Sequence, residues 1–292
     1  MNLETQASST LTIHPVITKI LKSRGLENSD VKEFLSWDLK SLPLITEMLD
    51  MEKTAKRIIR AIDQKQKVAI YGDYDVDGTT SCALFFHFFK MLDIEIELIQ
   101  PSRFIEGYGI HPSNIEQAYS NKIDLLITVD CGITNNEAAE YALEKGIDLI
   151  ITDHHTDARD EMPKAYAIVN PNRRDEPADS KLKVLAGVAV AFAVCVKVRE
   201  ILCSEGKNIP SLYPLLQFVA LGTICDLARL EPINLKLVRH GLKQIPETAY
   251  SGLGTFSPQK KGIEGSSQAK SYLFKLALQL IQREDLITPK GP

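Results

Sequence analysis

Residues 72–78, GDYDVDG, place three carboxylates at alternate positions, Asp73, Asp75 and Asp77, and close on a glycine. Hard oxygen donors at this spacing suggest binding of a divalent cation. An EF-hand calcium loop opens in a similar way, but it needs a bidentate glutamate at its twelfth position, and counted from Asp73 that position is Leu84. An apolar run leads into Asp73 and another is under way by Cys82, so the motif sits where a strand hands over to a helix. The same junction recurs twice: DLLITVDCG ends in Asp130, and DLIITDHH ends in Asp153, His154 and His155. One aspartate after a strand is commonly a turn former or a helix cap. Three predicted parallel strands delivering carboxylate or imidazole to one edge point to a site. Crowded carboxylates raise one another's pKa and cost stability, and a bound metal resolves that conflict. Oxygen donors with one or two imidazoles and no thiolate pairs suit Mn²⁺ or Mg²⁺ better than a structural zinc. Two such ions sharing the carboxylates would activate a water and stabilise charge on a phosphoryl group.

The elements that must position these side chains are legible as short apolar runs, KVAIY (67–71), IEIELIQ (94–100), DLLITV (124–129), DLIIT (148–152) and YAIVN (166–170). Between them lie the helical segments TSCALFFHFFKML and NEAAEYALEKG, the second with Asn135 or Asn136 near its start and Gly146 placed as its C-cap. Strand and helix alternating in this way predict right-handed crossovers and an α/β fold: a doubly wound, mostly parallel sheet with helices on both faces. VLAGVAVAFAVCVKVREIL (184–202) reads as a buried central helix, and LYPLLQFVALGTICDLARL as another running toward Asp226. A helix is expected around Leu235–Leu242, then a loop, then a last amphipathic helix near Ala269–Ile281. The expected division is a helical lead-in over 1–60 (DVKEFLSW after a cap at Ser29, then MEKTAKRIIRAIDQ), a catalytic domain over 61–245, and a loop and connecting helix over 246–292.

Composition sets the class. The chain has 292 residues, 44% hydrophobic and 25% charged, which is ordinary for a globular protein and leaves no room for a large disordered tail. The apolar stretch Val184–Val196 is too short to span a bilayer. The first ten residues lack the basic-then-apolar pattern of a signal peptide, and five scattered cysteines lack metal-ligand spacing. A cytoplasmic protein with reduced thiols and no membrane association is the expectation. A net charge of -4 argues against a wholesale nucleic-acid coat but allows a local basic groove beside an acidic metal site.

Taken in order, DYDVDG, VDCG, DHH and GTICD resemble the four motifs of the DHH phosphoesterase superfamily, and PSRFIEGYG (101–109), AIVNP (167–171) and LAGVAVAF (185–192) resemble its RecJ-type exonucleases of single-stranded DNA. The resemblance implies metal ligation by Asp75, Asp77, Asp130, His154 and Asp226, with Asp130 bridging two ions. It implies that Asp73 and Asp153 orient ligands or the attacking water, and that His155 stands at the scissile phosphate. Arg103, Tyr108 and Gly109 are candidate contacts to a phosphate backbone, as are Arg173 and Arg174 in NPNRR.

The match has departures. Tyr71 stands where many relatives carry a histidine, four residues before the first ligand aspartate, and PINL (232–235) stands where the family usually has Gly-Glu-Asn-Arg. Residues 276–285, LALQLIQRED, stand where the family has its connecting-helix motif, and the expectation is a catalytic domain without the family's C-terminal substrate-binding domain. The expected activity is a metal-dependent 5′–3′ exonuclease acting on single-stranded DNA in repair and recombination, with a protein partner supplying the missing wall of the groove. Two alternatives stand beside it. One is a hydrolase of short oligonucleotides, cyclic dinucleotides or pyrophosphate; the other is a catalytically silent nucleic-acid-binding or replication-complex subunit.

Overall fold

The structure is a computed structural model that describes residues 13–23, 25, 31, 34–35, 38–39, 45–101, 107–156, 161–247 and 250. The chain divides into two compact units, one formed by 1–41 with 265–292 and the other by 42–264. In the first, helix α1 (Pro15–Ser23) contributes Leu21 to a small apolar cluster with Val31 and Leu35. The predicted segments DVKEFLSW and Ala269–Ile281 lie wholly or mostly outside the described residues.

The second unit carries the sheet. Its elements in chain order are α2 (Met51–Asp63), β1 (Val68–Gly72), α3 (Val76–Met91), β2 (Glu97–Ile99), α4 (Pro112–Ser120), β3 (Leu125–Val129), α5 (Asn136–Lys145), β4 (Asp148–Thr152), β5 (Ala167–Val169), α6 (Gly187–Ser204), α7 (Leu216–Cys225) and α8 (Pro232–Gln244). All strand pairs are parallel and the spatial order is β2-β1-β3-β4-β5. Strands buried on both faces read as continuous apolar runs, which is why VAIYG and LLITV lack polar alternation. One parity of strand residues (Ala69, Tyr71, Leu126, Leu149, Ile151) forms a core with Ile115, Ala118, Ala138 and Ala142 of α4 and α5. On the opposite face α2, α3 and α6 cover the sheet, and α7 and α8 pack outside them.

Several sequence readings are corrected here. The run 94–100 pairs only over Glu97–Ile99, at the edge of the sheet. Helix α4, which the periodicity did not announce, is nine residues long and begins with proline at its first position. The boundary drawn at residue 60 cuts through α2, which packs on α6 and β5 and lies in the same unit as the sheet. Helix α3 starts at Val76, so Asp77 lies in its first turn and Asp75 is its N-cap.

Candidate metal centre

Register places the three aspartates. Gly72, Val129 and Thr152 are paired across β1, β3 and β4, and Asp73, Asp130 and Asp153 are the next residues along each strand. Each extends the ladder by one bond: Asp73 N–H to Val129 O (3.4 Å), Asp130 N–H to Thr152 O (3.0 Å) and Asp153 N–H to Val169 O (3.1 Å). The row therefore lies at the carboxyl edge beside the point where strand order reverses between β1 and β3, which is where open α/β sheets bind ligands.

Side chains from this row, from the start of α3 and from the end of α7 fall into overlapping donor groups whose ligand atoms lie within 4.8 Å of one another: Asp77, His154 and Asp226; Asp73, Asp75 and Asp130; and Asp130, His154 and His155. Asp77 reaches across to the start of α6, where its Oδ2 accepts from Gly187 N–H (2.7 Å) and its Oδ1 from Val188 N–H (2.9 Å). Asp75 caps its own helix through Gly78 N–H (2.9 Å) and stays exposed. Asp226 is the C-cap of α7. His154 Nε2 lies 3.1 Å from Asp130 Oδ1 and 3.8 Å from Asp77 Oδ2.

Asp153 is fully buried and holds the two histidines. Its Oδ1 accepts from the backbone N–H of His154 (2.7 Å) and of His155 (3.1 Å) and lies 2.8 Å from His155 Nδ1, while Oδ2 accepts from Ile133 N–H (2.9 Å). Burial pushes this carboxyl up, but the hydrogen bond and charge of His155 and the backbone donors outweigh it, and the net shift is downward. His155 is raised in return, first by its bond to Asp153. Tyr108 completes the cluster, its hydroxyl 3.1 Å from His155 Nδ1.

The donors fit a cation. Asp73 Oδ1 and Asp130 Oδ1 are buried and accept no hydrogen bond, although His154 Nε2 approaches the latter. Burial, followed by repulsion from Asp77, Asp75 and Asp153, drives Asp130 far above the usual carboxylate range. Asp77, Asp73 and Asp226 are all raised, in each case chiefly by burial. Buried carboxylates crowded into one donor group, with oxygens that accept no hydrogen bond, are a costly arrangement that a divalent ion would neutralise. Glycines leave the room: a Cβ on Gly187 would lie 2.7 Å from Asp130 Oδ1, and one on Gly222 would lie 2.7 Å from Asp77 Oδ1.

The remaining candidates separate. Tyr71, at the position of the family histidine, is buried in the core on the α4/α5 side and donates through its hydroxyl to Gly109 O (2.8 Å). Gly109 needs both its positive φ of 82° and its missing Cβ, which would collide with Asn135. Arg103 lies outside the described residues. Arg174 is exposed. The substrate-contact reading of Arg173 is corrected: its guanidinium is buried and engaged by Asp175 (2.7 and 2.9 Å), Asp50 (2.9 Å) and Ile168 O (2.5 Å). Sequence reading missed Gly187, Gly222, Asn170 and Asn172. Asn170 donates to His155 O (2.9 Å) and Asn172 to His154 O (2.6 Å), and both lie directly beyond β5, the next strand end in the row.

A doubly wound parallel sheet gathering carboxylates and imidazoles at its switch point defines an α/β protein with a candidate two-ion centre. The model of the DHH family, N-terminal domain, matches residues 67–223, and the chain belongs to this family. It is 35% identical over 243 residues to the single-stranded-DNA-specific exonuclease RecJ of Escherichia coli (strain K12), covering 79% of this chain and 40% of that protein's length. Among solved structures, exonuclease RecJ bound to manganese superposes with a TM-score of 0.68 at 29% identity, covering 84% of this chain and 63% of that one. RecJ from Thermus thermophilus in complex with Mn²⁺ gives 0.70 at 26% identity, covering 94% and 40%. Among the described residues no helix is long and apolar enough to cross a membrane.

Proposed function

We propose that this chain is the catalytic part of a RecJ-type phosphodiesterase that removes nucleotides from the 5′ end of single-stranded DNA with Mn²⁺ or Mg²⁺, in cytoplasmic DNA repair and recombination. The observation that carries the reading is the pair of donor groups, Asp77–His154–Asp226 and Asp73–Asp75–Asp130, gathered at one edge of the sheet from strand ends and the ends of two helices. The names of the relatives, exonucleases specific for single-stranded DNA, supply the substrate class.

Each triad would hold one ion, with Asp130 between them because it also lies against His154. Divalent ions bound there would supply Lewis acidity and a nucleophilic water at neutral pH. Asp153 keeps the tripeptide Asp153–His155 in a fixed conformation. His155, whose pKa is raised and whose side chain is 43% exposed, is the group set to donate to a phosphate oxygen, with Tyr108 beside it. Arg103, Gly109 and Arg174 remain proposed contacts to the phosphate backbone, and a partner or further domain would close the groove.

Hydrolysis of 5′-labelled single-stranded DNA with Mn²⁺, beside Asp130→Ala, tests this reading. Nucleotide release that requires metal and disappears in the variant is the expected result. Release that is unchanged in the variant would reject it, whereas no release from a wild-type chain that binds Mn²⁺ would mean that cleavage needs the partner or further domain that closes the groove.

A further inference from the structure

Two asparagine side chains converge on consecutive carbonyls of one short turn. Asn172 Nδ2 donates to His154 O (2.6 Å) and to Lys183 O (3.1 Å). Asn234, fully buried in α8, donates through Nδ2 to Val184 O (2.6 Å) and Arg229 O (2.8 Å). Lys183 and Val184 close the 3-10 turn Lys181–Val184, and after Leu185 and Ala186 helix α6 begins with the Gly187 and Val188 N–H groups that hold Asp77. The amide orientation of Asn234 is fixed by its surroundings, because a flipped side chain would set its oxygen against both carbonyls.

The turn therefore touches three segments at once. Through Asn172 it reaches the carbonyl of His154, through Asn234 the chain three residues past Asp226, and through the α6 N-terminus both oxygens of Asp77. Those three residues are the members of one donor group. The other group takes its hydrogen bonds elsewhere, Asp73 and Asp130 from the strand ladder and Asp75 from its own helix, although Gly187 also lies in van der Waals reach of Asp130. Among the described residues no hydrogen bond of Asn172 or Asn234 reaches that group.

We infer that Asn172 and Asn234, acting through the turn Lys181–Val184, are positioning residues for the ion held by Asp77, His154 and Asp226, and not for the ion held by Asp73, Asp75 and Asp130. This rests on the two-ion reading above. A carbonyl released from its amide donor lets the ligand-bearing segment drift, and outer partners of this kind typically govern metal affinity by about 10–100-fold.

Calorimetric titration of the full chain with Mn²⁺ alone tests it without any turnover. Wild type is expected to take up two ions. Asn172→Ala and Asn234→Ala, checked for folding by thermal melts, each weaken one ion by about tenfold or more and leave the other unchanged. Asp75→Ala weakens the remaining ion, and combining it with Asn172→Ala weakens both. Equal weakening of both ions in Asn172→Ala, or of neither, overturns the inference while leaving the two-ion reading standing. Should Asn234→Ala fail to fold, the half-buried Asn172 decides alone. A wild-type chain that binds no Mn²⁺ overturns the two-ion reading, and this inference with it.

Discussion

The Asp153 carboxylate lies 2.8 Å from His155 Nδ1 and bonds the backbone N–H of the same residue at 3.1 Å, so one oxygen fixes both the ring and the chain of that histidine. This bond is the first cause of the raised His155 pKa, and burial acts against it. In Asp153→Asn the charge is gone while the burial remains. The His155 ring is therefore expected to titrate at lower pH than in wild type, and below the ordinary histidine value near 6.5. Following the ring resonances by NMR across pH measures this directly. An unmoved titration would mean that Asp153 does not set the protonation of His155.

The crowded carboxylates predict how metal and pH act together on stability. Asp77 is raised to about 6 and Asp130 is raised as well, chiefly by burial, against an unfolded value near 3.9. Between these limits the metal-free folded chain binds more protons than the unfolded chain. This contribution to stability is therefore fully present below the unfolded pKa and is lost as pH rises through about 6 and beyond. A divalent ion replaces the protons, so the rise in Tm on adding Mn²⁺ should be larger at pH 8 than at pH 5.5, and EDTA should abolish it. At 100-fold excess over Kd the stabilisation is about 2.7 kcal/mol. Equal Mn²⁺ shifts at both pH values would contradict the crowding argument.

Part of this centre could be read from the chain because its spacing is local. A strand buried on both faces is an apolar run, and an aspartate at its end is visible without knowing what it meets, as at Val129–Asp130 or Thr152–Asp153. What could not be read depends on distant partners. Gly187 looks like an ordinary small residue in an apolar helix until Asp130 is seen against its Cα. Asn234 lies in PINL, a run that reads as a departure from the family, yet its amide ties Val184 to Arg229.

Arg173 shows the same limit from the other side. Two adjacent arginines near a site suggest a phosphate contact, but Asp50, 123 residues earlier in the chain, draws one of them inside. Arg173 is 8% exposed, and Asp50 also accepts from Ile168 N–H of β5 (3.1 Å). Removing one partner of a buried pair costs about 3–5 kcal/mol, and the partial exposure of Asp50 and Asp175 reduces this to roughly 2–3 kcal/mol for Arg173→Ala. Arg174→Ala is a surface change expected to stay within about 0.5 kcal/mol. Urea unfolding of both variants separates them. Equal, small effects would return Arg173 to the list of substrate contacts.

Helix α7 ends at the candidate ligand Asp226 with a stop normally given to glycine. Leu227 N–H bonds Ile224 O (3.2 Å) and Ala228 N–H bonds Thr223 O (3.2 Å), the paired bonds of a Schellman motif, with Leu227 in the left-handed position at φ 59°. A side chain with a Cβ is disfavoured there by about 1–2 kcal/mol, and glycine gives back about 0.5–1 kcal/mol through the freedom of its unfolded chain. Leu227 is 81% exposed, so little packing offsets the strain. Leu227→Gly should therefore raise stability by about 0.5–1 kcal/mol, whereas Leu227→Val, β-branched at the same φ, should lower it. Thermal melts of the pair provide the measurement. A glycine variant less stable than wild type would mean that Leu227 makes contacts worth more than its backbone costs.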